Sequence, residues 1–156
     1  MKVHETGMAV LALAMAAAMQ LWSSGIAQAH TTIWPRESTA GAMEKYTVRV
    51  PAESQVMSKG AELEVPDGVI VQTIGTPDGW TYDIKRQDGR IVTITWHMDI
   101  KPGEFAEFSF VARNPQNQNR LVWKLREFFA DGKVTDFTNG PDGIYPTATV
   151  KLTTPN

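Results

Sequence analysis

The chain has 156 residues, with 15 Lys and Arg against 17 Asp and Glu, a formal net charge of −2 and no cysteine. This near balance, without any basic run, excludes an electrostatic grip on nucleic acid, which calls for clustered Lys and Arg. The lack of thiols excludes disulfide staples, cysteine-ligated zinc and thiolate-bound blue copper.

The first thirty residues differ in kind from the rest. Lys2 gives a positive start, residues 8–19 are almost wholly apolar (MAVLALAMAAAM), and small and polar residues lead to Ala27-Gln28-Ala29. This is the pattern of a secretory signal peptide, and the apolar run falls short of the roughly 20 residues a membrane span needs. No twin arginine precedes it, which points to the general secretory route. The expectation is a signal peptide over 1–29 and one domain over 30–156. That domain would be periplasmic or secreted, with no membrane anchor after cleavage. Its length suits a single core.

From His30 onward every usable pattern has period two. Apolar and polar residues alternate in Tyr46-Thr47-Val48-Arg49-Val50, and Pro51 ends the run. Runs at 61–65 and 69–74 flank the turn Pro66-Asp67-Gly68. Runs at 80–85 and 90–96 flank Gln87-Asp88-Gly89, and an Asp-Gly between β-rich segments is a strong hairpin signal. Lys101-Pro102-Gly103 turns the chain into 105–112, where Ala106, Phe108 and Phe110 share a face. A further hairpin joins 121–129 to 133–137 through Ala130-Asp131-Gly132, and 147–152 makes a last strand. No window carries a 3.6 period, and helix is limited to a turn or two, with 53–58 the candidate. Turns every eight to twelve residues predict an all-β fold, an antiparallel β-sandwich of the immunoglobulin/cupredoxin-like kind. Trp80, Trp96, Trp123, Phe108 and Phe110 read as its core; a carbohydrate-binding platform would need three such rings exposed on one face.

Enzyme motifs are missing: there is no nucleophile elbow, no phosphate-cradling glycine loop and nothing that selects a pair of carboxylates. What remains is the new terminus. Cleavage after Ala29 makes His30 the first residue, whereas cleavage after Ala27 leaves it internal. A free α-amine has a pKa near 8 and yields its proton to a metal at modest cost. With the imidazole of the same residue it closes a chelate ring, and two nitrogens completed by oxygens suit the tetragonal preference of Cu(II). His97-Met98 is a second point of interest, since imidazole and thioether suit Cu(I). Strand neighbours point to opposite faces, however, so both could serve one ion only at a bulge or strand end.

From His30 the chain reads HTTIWPRESTAGAMEKYTVRVPAES. This resembles the opening of the YcnI-like copper-binding domain family: H-x-T-x-x-P after the signal peptide, then Y-T-x-R-V-P-x-E. The likeness continues through Val65-Pro66-Asp67-Gly68-Val69, Gly79-Trp80, Thr95-Trp96, Pro102-Gly103-Glu104-Phe105 and Phe129-Ala130-Asp131-Gly132. The resemblance implies a β-sandwich holding Cu(II) in a monohistidine brace. His30 supplies amine and imidazole, and a glutamate, carried over to Glu53, adds oxygen; Glu37 and Glu44 are rivals nearer in sequence. It also implies a tryptophan beside the metal, and here that place holds Phe137, which loses the indole N–H.

The function expected is a non-catalytic, exported Cu(II)-binding protein of copper homeostasis. Its partners are the copper ion and, for hand-over, another copper chaperone or a membrane copper transporter. The alternatives are a copper-dependent oxidase of the lytic monooxygenase type, in which His97 must supply a second histidine, and a copper-free adhesion or scaffold sandwich.

Overall fold

The computed structural model describes residues 31–52, 54–138 and 147–155, and within them all regular structure is strand. In chain order these are β1 (Thr32–Trp34), β2 (Glu37–Thr39), β3 (Met43–Pro51), β4 (Ser58–Glu64), β5 (Ile70–Ile74), β6 (Thr81–Gln87), β7 (Arg90–Ile100), β8 (Phe105–Arg113), β9 (Arg120–Phe129), β10 (Val134–Phe137) and β11 (Ala148–Thr153). A four-stranded sheet has the order β1-β3-β8-β5. A seven-stranded sheet has the order β2-β11-β9-β4-β7-β6, with β10 added beside β9. The expected β-sandwich is therefore present. Its pairs are antiparallel except β2 with β11, which run parallel.

Period-two alternation supplies the core. Tyr46, Val48 and Val50 of β3 and Ala106, Phe108, Phe110 and Ala112 of β8 face inward from one sheet. Leu121, Trp123 and Leu125 of β9 and Ile94, Trp96, Met98 and Ile100 of β7 face them from the other. Ring contacts set how the sheets lie: Tyr46 meets Trp123 at 5.2 Å between centroids, and Trp96 meets Phe108 at 3.8 Å. β3 thus lies over β9 and β8 over β7. Trp80, expected in the core, is only half-buried against its margin. It leads into β6, the edge of the larger sheet, every residue of which is exposed.

The turns follow their sequence signals. Asp88 and Gly89 both take positive φ, 51° and 79°, as a two-residue hairpin requires. Gly132 (φ 83°) closes the second hairpin, with its N–H on the Phe129 carbonyl at 3.0 Å. Pro66-Asp67-Gly68 turns the chain between the two sheets. Where helix was allowed, at 53–58, residues 54–56 bend instead, the Val56 N–H donating to Ser54 Oγ at 3.0 Å, and Ser58 already begins β4.

A polar chain closes the sandwich at the Met43 end of β3. Tyr46 Oη donates to Asn114 Oδ1 at 2.6 Å, and Asn114 Nδ2 donates to Ser38 Oγ at 3.0 Å and to the Thr39 carbonyl at 2.9 Å. Ser38 Oγ donates to Glu44 Oε2 at 2.7 Å. Burial pushes the Tyr46 phenol up to about 12. Because this raises the folded-state value above the unfolded value near 10, the stabilising contribution is full below pH 10. It is lost as pH rises through about 12, since the unfolded chain releases its proton first. Tyr46→Phe should cost about 1–3 kcal/mol at pH 8 by stranding Asn114. Urea unfolding from pH 8 to 11.5 should show the gap between wild type and variant narrowing above pH 10; a constant gap would sink the assignment.

Candidate metal centre

β1 and β3 pair with the register Thr32↔Arg49, Ile33↔Val48, Trp34↔Thr47. Each step back along β1 is a step forward along β3, so the described start of β1 lies beside the end of β3. There the Ala52 N–H donates to the Glu104 carbonyl at 2.9 Å, and the Gly103 N–H donates to the Ala52 carbonyl at 3.0 Å. The chain then crosses to the other sheet, where Ser58 registers with Phe129 and the Ala130 N–H donates to the Met57 carbonyl at 3.0 Å. The start of β1, the end of β3, the start of β4, the end of β9 and β10 are therefore gathered at one end of the sandwich.

The side chains at this end are not all apolar. Along β9 the inward positions read Leu121, Trp123, Leu125 and then Glu127, which is only 3% exposed. Ala61 of β4 and Thr135 of β10 register on either side of it, and Phe137, also buried, registers with Leu125 one inward position away. Thr31 is 5% exposed, and its Oγ1 has no hydrogen-bond partner among the described residues. β10 is held on the outer face by Arg126, which reaches Asp136 Oδ2 at 3.4 Å and Glu62 Oε1 at 3.0 Å. The hydrogen bond to Asp136 comes first among the influences that raise the Arg126 guanidinium above its ordinary value.

Sequence reasoning did not single out Glu127 and Thr31, two of the buried polar residues. The signal for Glu127 was present: an acid occupies the position where the β9 alternation calls for a fourth apolar residue. Thr31 had none, because a three-residue strand carries no period.

His30 and Glu53 lie outside the described residues, as does the expected signal peptide. The rivals Glu37 and Glu44 are engaged elsewhere. Glu37 pairs with Lys151 at 3.1 Å, and Glu44 takes the Ser38 hydroxyl about 23 Å along β3 from Pro51, at roughly 3.3 Å per residue. His97 and Met98 project to opposite faces of β7. Met98 is buried in the core, whereas His97 is exposed with Nε2 2.8 Å from Asp83 Oδ2. The register with β4 slips just beyond His97, yet the alternation of burial continues through Met98, so the two side chains do not converge on one ion. His97 lines an open depression on the outer face with Trp80, Thr81 and Asp99. Among the described residues no three His, Asp or Glu side chains are grouped to hold a metal ion.

The two sheets and their topology define an immunoglobulin-like β-sandwich. Residues 30–155 match the family described as a domain of unknown function, DUF1775, and the chain belongs to this YcnI-like family. It is 30% identical over 136 residues to the copper-binding protein CutI of Bacillus subtilis (strain 168), covering 85% of this chain and 67% of that protein. Among solved structures, an uncharacterized protein from Nocardia farcinica with an immunoglobulin-like fold matches at TM-score 0.68 and 24% identity, over 79% of this chain and 97% of that one. A cohesin module from a Clostridium perfringens family 33 glycoside hydrolase matches at TM-score 0.53 and 14% identity, over 80% of this chain and 95% of that one. These last two likenesses concern the fold alone.

Proposed function

We propose that the exported, mature chain binds one Cu(II) ion at the end of the sandwich where β1 begins, and that it holds or hands over copper rather than catalysing a reaction. The amine and imidazole of His30, freed by cleavage after Ala29, would supply two nitrogens, and Glu53 an oxygen. The observation that carries this reading is the β1–β3 register. It brings the chain position entering β1 and the position leaving β3 to the same edge, and these are the approaches to His30 and Glu53. The kinship with CutI, a copper-binding protein, supports the choice of ion.

The chemistry at this end fits that ion. It holds oxygen groups and no thiol, and nitrogen with oxygen donors in a tetragonal arrangement suits Cu(II). Cu(II) also leads the divalent series in affinity for such a set. The two-histidine oxidase is not favoured: His97 faces outward from the larger sheet and is paired with Asp83. Copper would be passed to another copper chaperone or to a membrane transporter.

The test is Cu(II) titration of protein beginning at His30, followed by electron paramagnetic resonance. One equivalent should bind with a tetragonal signal showing nitrogen coupling. Glu53→Gln should weaken binding by at least about tenfold and alter the copper hyperfine splitting. Failure to saturate near one equivalent overturns the reading, and an unchanged Glu53→Gln spectrum removes Glu53 from it.

A further inference from the structure

We propose that two copies of this chain pair through β6, antiparallel and edge to edge, about a two-fold axis at Ile84. This interface goes beyond the copper reading and involves none of its residues. β6 ends the larger sheet, all seven of its residues are exposed, and no described strand bonds to its outer edge. An open edge offers a row of unpaired N–H and C=O groups to another strand. The other edges are blunted. β1 and β2 have three residues each, β10 has four, and β5 slips register between Val71 and Thr73. β6 has no proline, and its one register shift puts the extra residue, Val92, on β7.

The hairpin fixes which backbone groups are free. Gln87 and Arg90 flank the two-residue turn Asp88-Gly89 and face each other. Such a closing pair exchanges both hydrogen bonds, and bonded positions then alternate along the strand. Thr81, Asp83, Lys85 and Gln87 therefore bond to β7, and the N–H and C=O of Tyr82, Ile84 and Arg86 point to the free edge. Side chains choose the register in which a second copy meets them. Centred on Ile84, the pairing sets Asp83 opposite Lys85 of the second copy, Tyr82 opposite its Arg86, and Ile84 opposite its Ile84. Centred on Asp83 it would oppose two aspartates, and centred on Lys85 two lysines. Opposite charges on facing strands stabilise and like charges destabilise. The Ile84 register is thus the matched one, and it forms about six interstrand hydrogen bonds.

Both faces of the sheet fit that register. On the outer face Lys85 Nζ lies 3.3 Å from Glu62 Oε2, and Arg126 lies beyond, so this row of alternating charge ends at the edge in a cation. His97 beside Asp83 ends its row in an anion. The two-fold axis joins the cationic end of one copy to the anionic end of the other. On the inner face Tyr82 and Ile84 register with the buried Trp96 and Ile94, yet they are 41% and 37% exposed. The apolar row of the core thus runs past the cover of the smaller sheet. A second copy continues it, with Ile84 against Ile84 and a guanidinium over the Tyr82 ring. One strand pair is a small interface, and the expected dissociation constant is on the order of 10–100 μM.

The test is sedimentation velocity of protein beginning at His30, up to about 1 mM, with hydrogen exchange on the same samples. A monomer–dimer equilibrium should appear. The amides of Tyr82, Ile84 and Arg86 should slow several-fold with concentration, and those of Asp83 and Lys85, already bonded to β7, should not. Asp83→Lys and Lys85→Asp should each fold and stay monomeric, since the ion pairs they remove are exposed and each opposes like charges across the axis. Mixed in equal amounts, the two variants should dimerise with each other, because every facing pair is then opposite in sign. A wild type that stays monomeric with fast exchange at all three edge amides overturns the proposal, whether or not the variants fold. A dimer that both variants retain, or that mixing them does not restore, overturns the interface. If the edge amides are slow at every concentration in a monomer, a segment of the same chain covers the edge, and self-pairing is overturned.

Discussion

Acetylating the α-amine of His30 is expected to lower Cu(II) affinity by more than about a hundredfold. Losing a group that merely supports a metal ligand typically costs 10–100-fold, and here a ligand itself goes. The amide nitrogen formed has its lone pair in resonance with the acyl group, so the chelate ring cannot close and only the imidazole remains. Acetylation is a cleaner test than adding a residue, which would bring its own amine and an adjacent peptide nitrogen. Binding should also strengthen as pH rises through roughly 8, because the metal must displace a proton from the amine. The acetylated form should lose the rise between pH 7.5 and 8.5 and keep only the shallower one from the imidazole, whose ordinary value is near 6.5. Isothermal titration at pH 6.5, 7.5 and 8.5 reads both effects; equal affinity in the two forms would mean the metal does not use the amine.

The largest effect on stability is expected at Gly60. A Cβ built there would lie 2.7 Å from the carbonyl oxygen of Trp96. That oxygen belongs to the backbone of β7, so it cannot swing aside as a flexible side chain would. β4 is bonded on both edges, to β7 and to β9, and the irregularity between Ser58 and Gly60 interrupts both registers. Gly60→Ala must push these strands apart. It should cost at least the upper end of the roughly 1–3 kcal/mol usual for overpacking, lowering the unfolding temperature by about 10 °C for a domain of this size. Gly79→Ala is the contrast. Gly79 has φ 79° with nothing within 4 Å of the added carbon, so only the left-handed backbone penalty of about 1 kcal/mol applies. Calorimetry on the two variants separates steric exclusion from backbone strain, and equal shifts would contradict the distinction.

Much of the fold was legible in local pattern. The Asp88-Gly89 and Asp131-Gly132 turns and the inward face Ala106, Phe108, Phe110 each depend on residues close in the chain. What was not legible is long-range or too short to have a period. β1 and β2 span three residues each and exist because β3 and β11 receive them. β7 runs on past Trp96 to Ile100 because alternation continues through His97 and Met98. That same alternation sends those two residues to opposite faces, as the sequence spacing implied. The family likeness directed attention to His30, Glu53 and Phe137, while the burial of Glu127 was hidden as that of one acid among many. Its meaning depended on which face of β9 turns inward, and the preceding Leu121, Trp123 and Leu125 decide that only once the sheet is built.

The parallel pairing of β2 with β11 bears on how the protein comes into being. β2 has β11 as its ladder partner, with Glu37 registered to Lys151, so a segment early in the domain waits for one made much later. Closing so wide a loop is slow, because its entropy is lost before any contact compensates. A chain emerging in order can therefore pair β3 with β8 and β4 with β7 while β2 still waits.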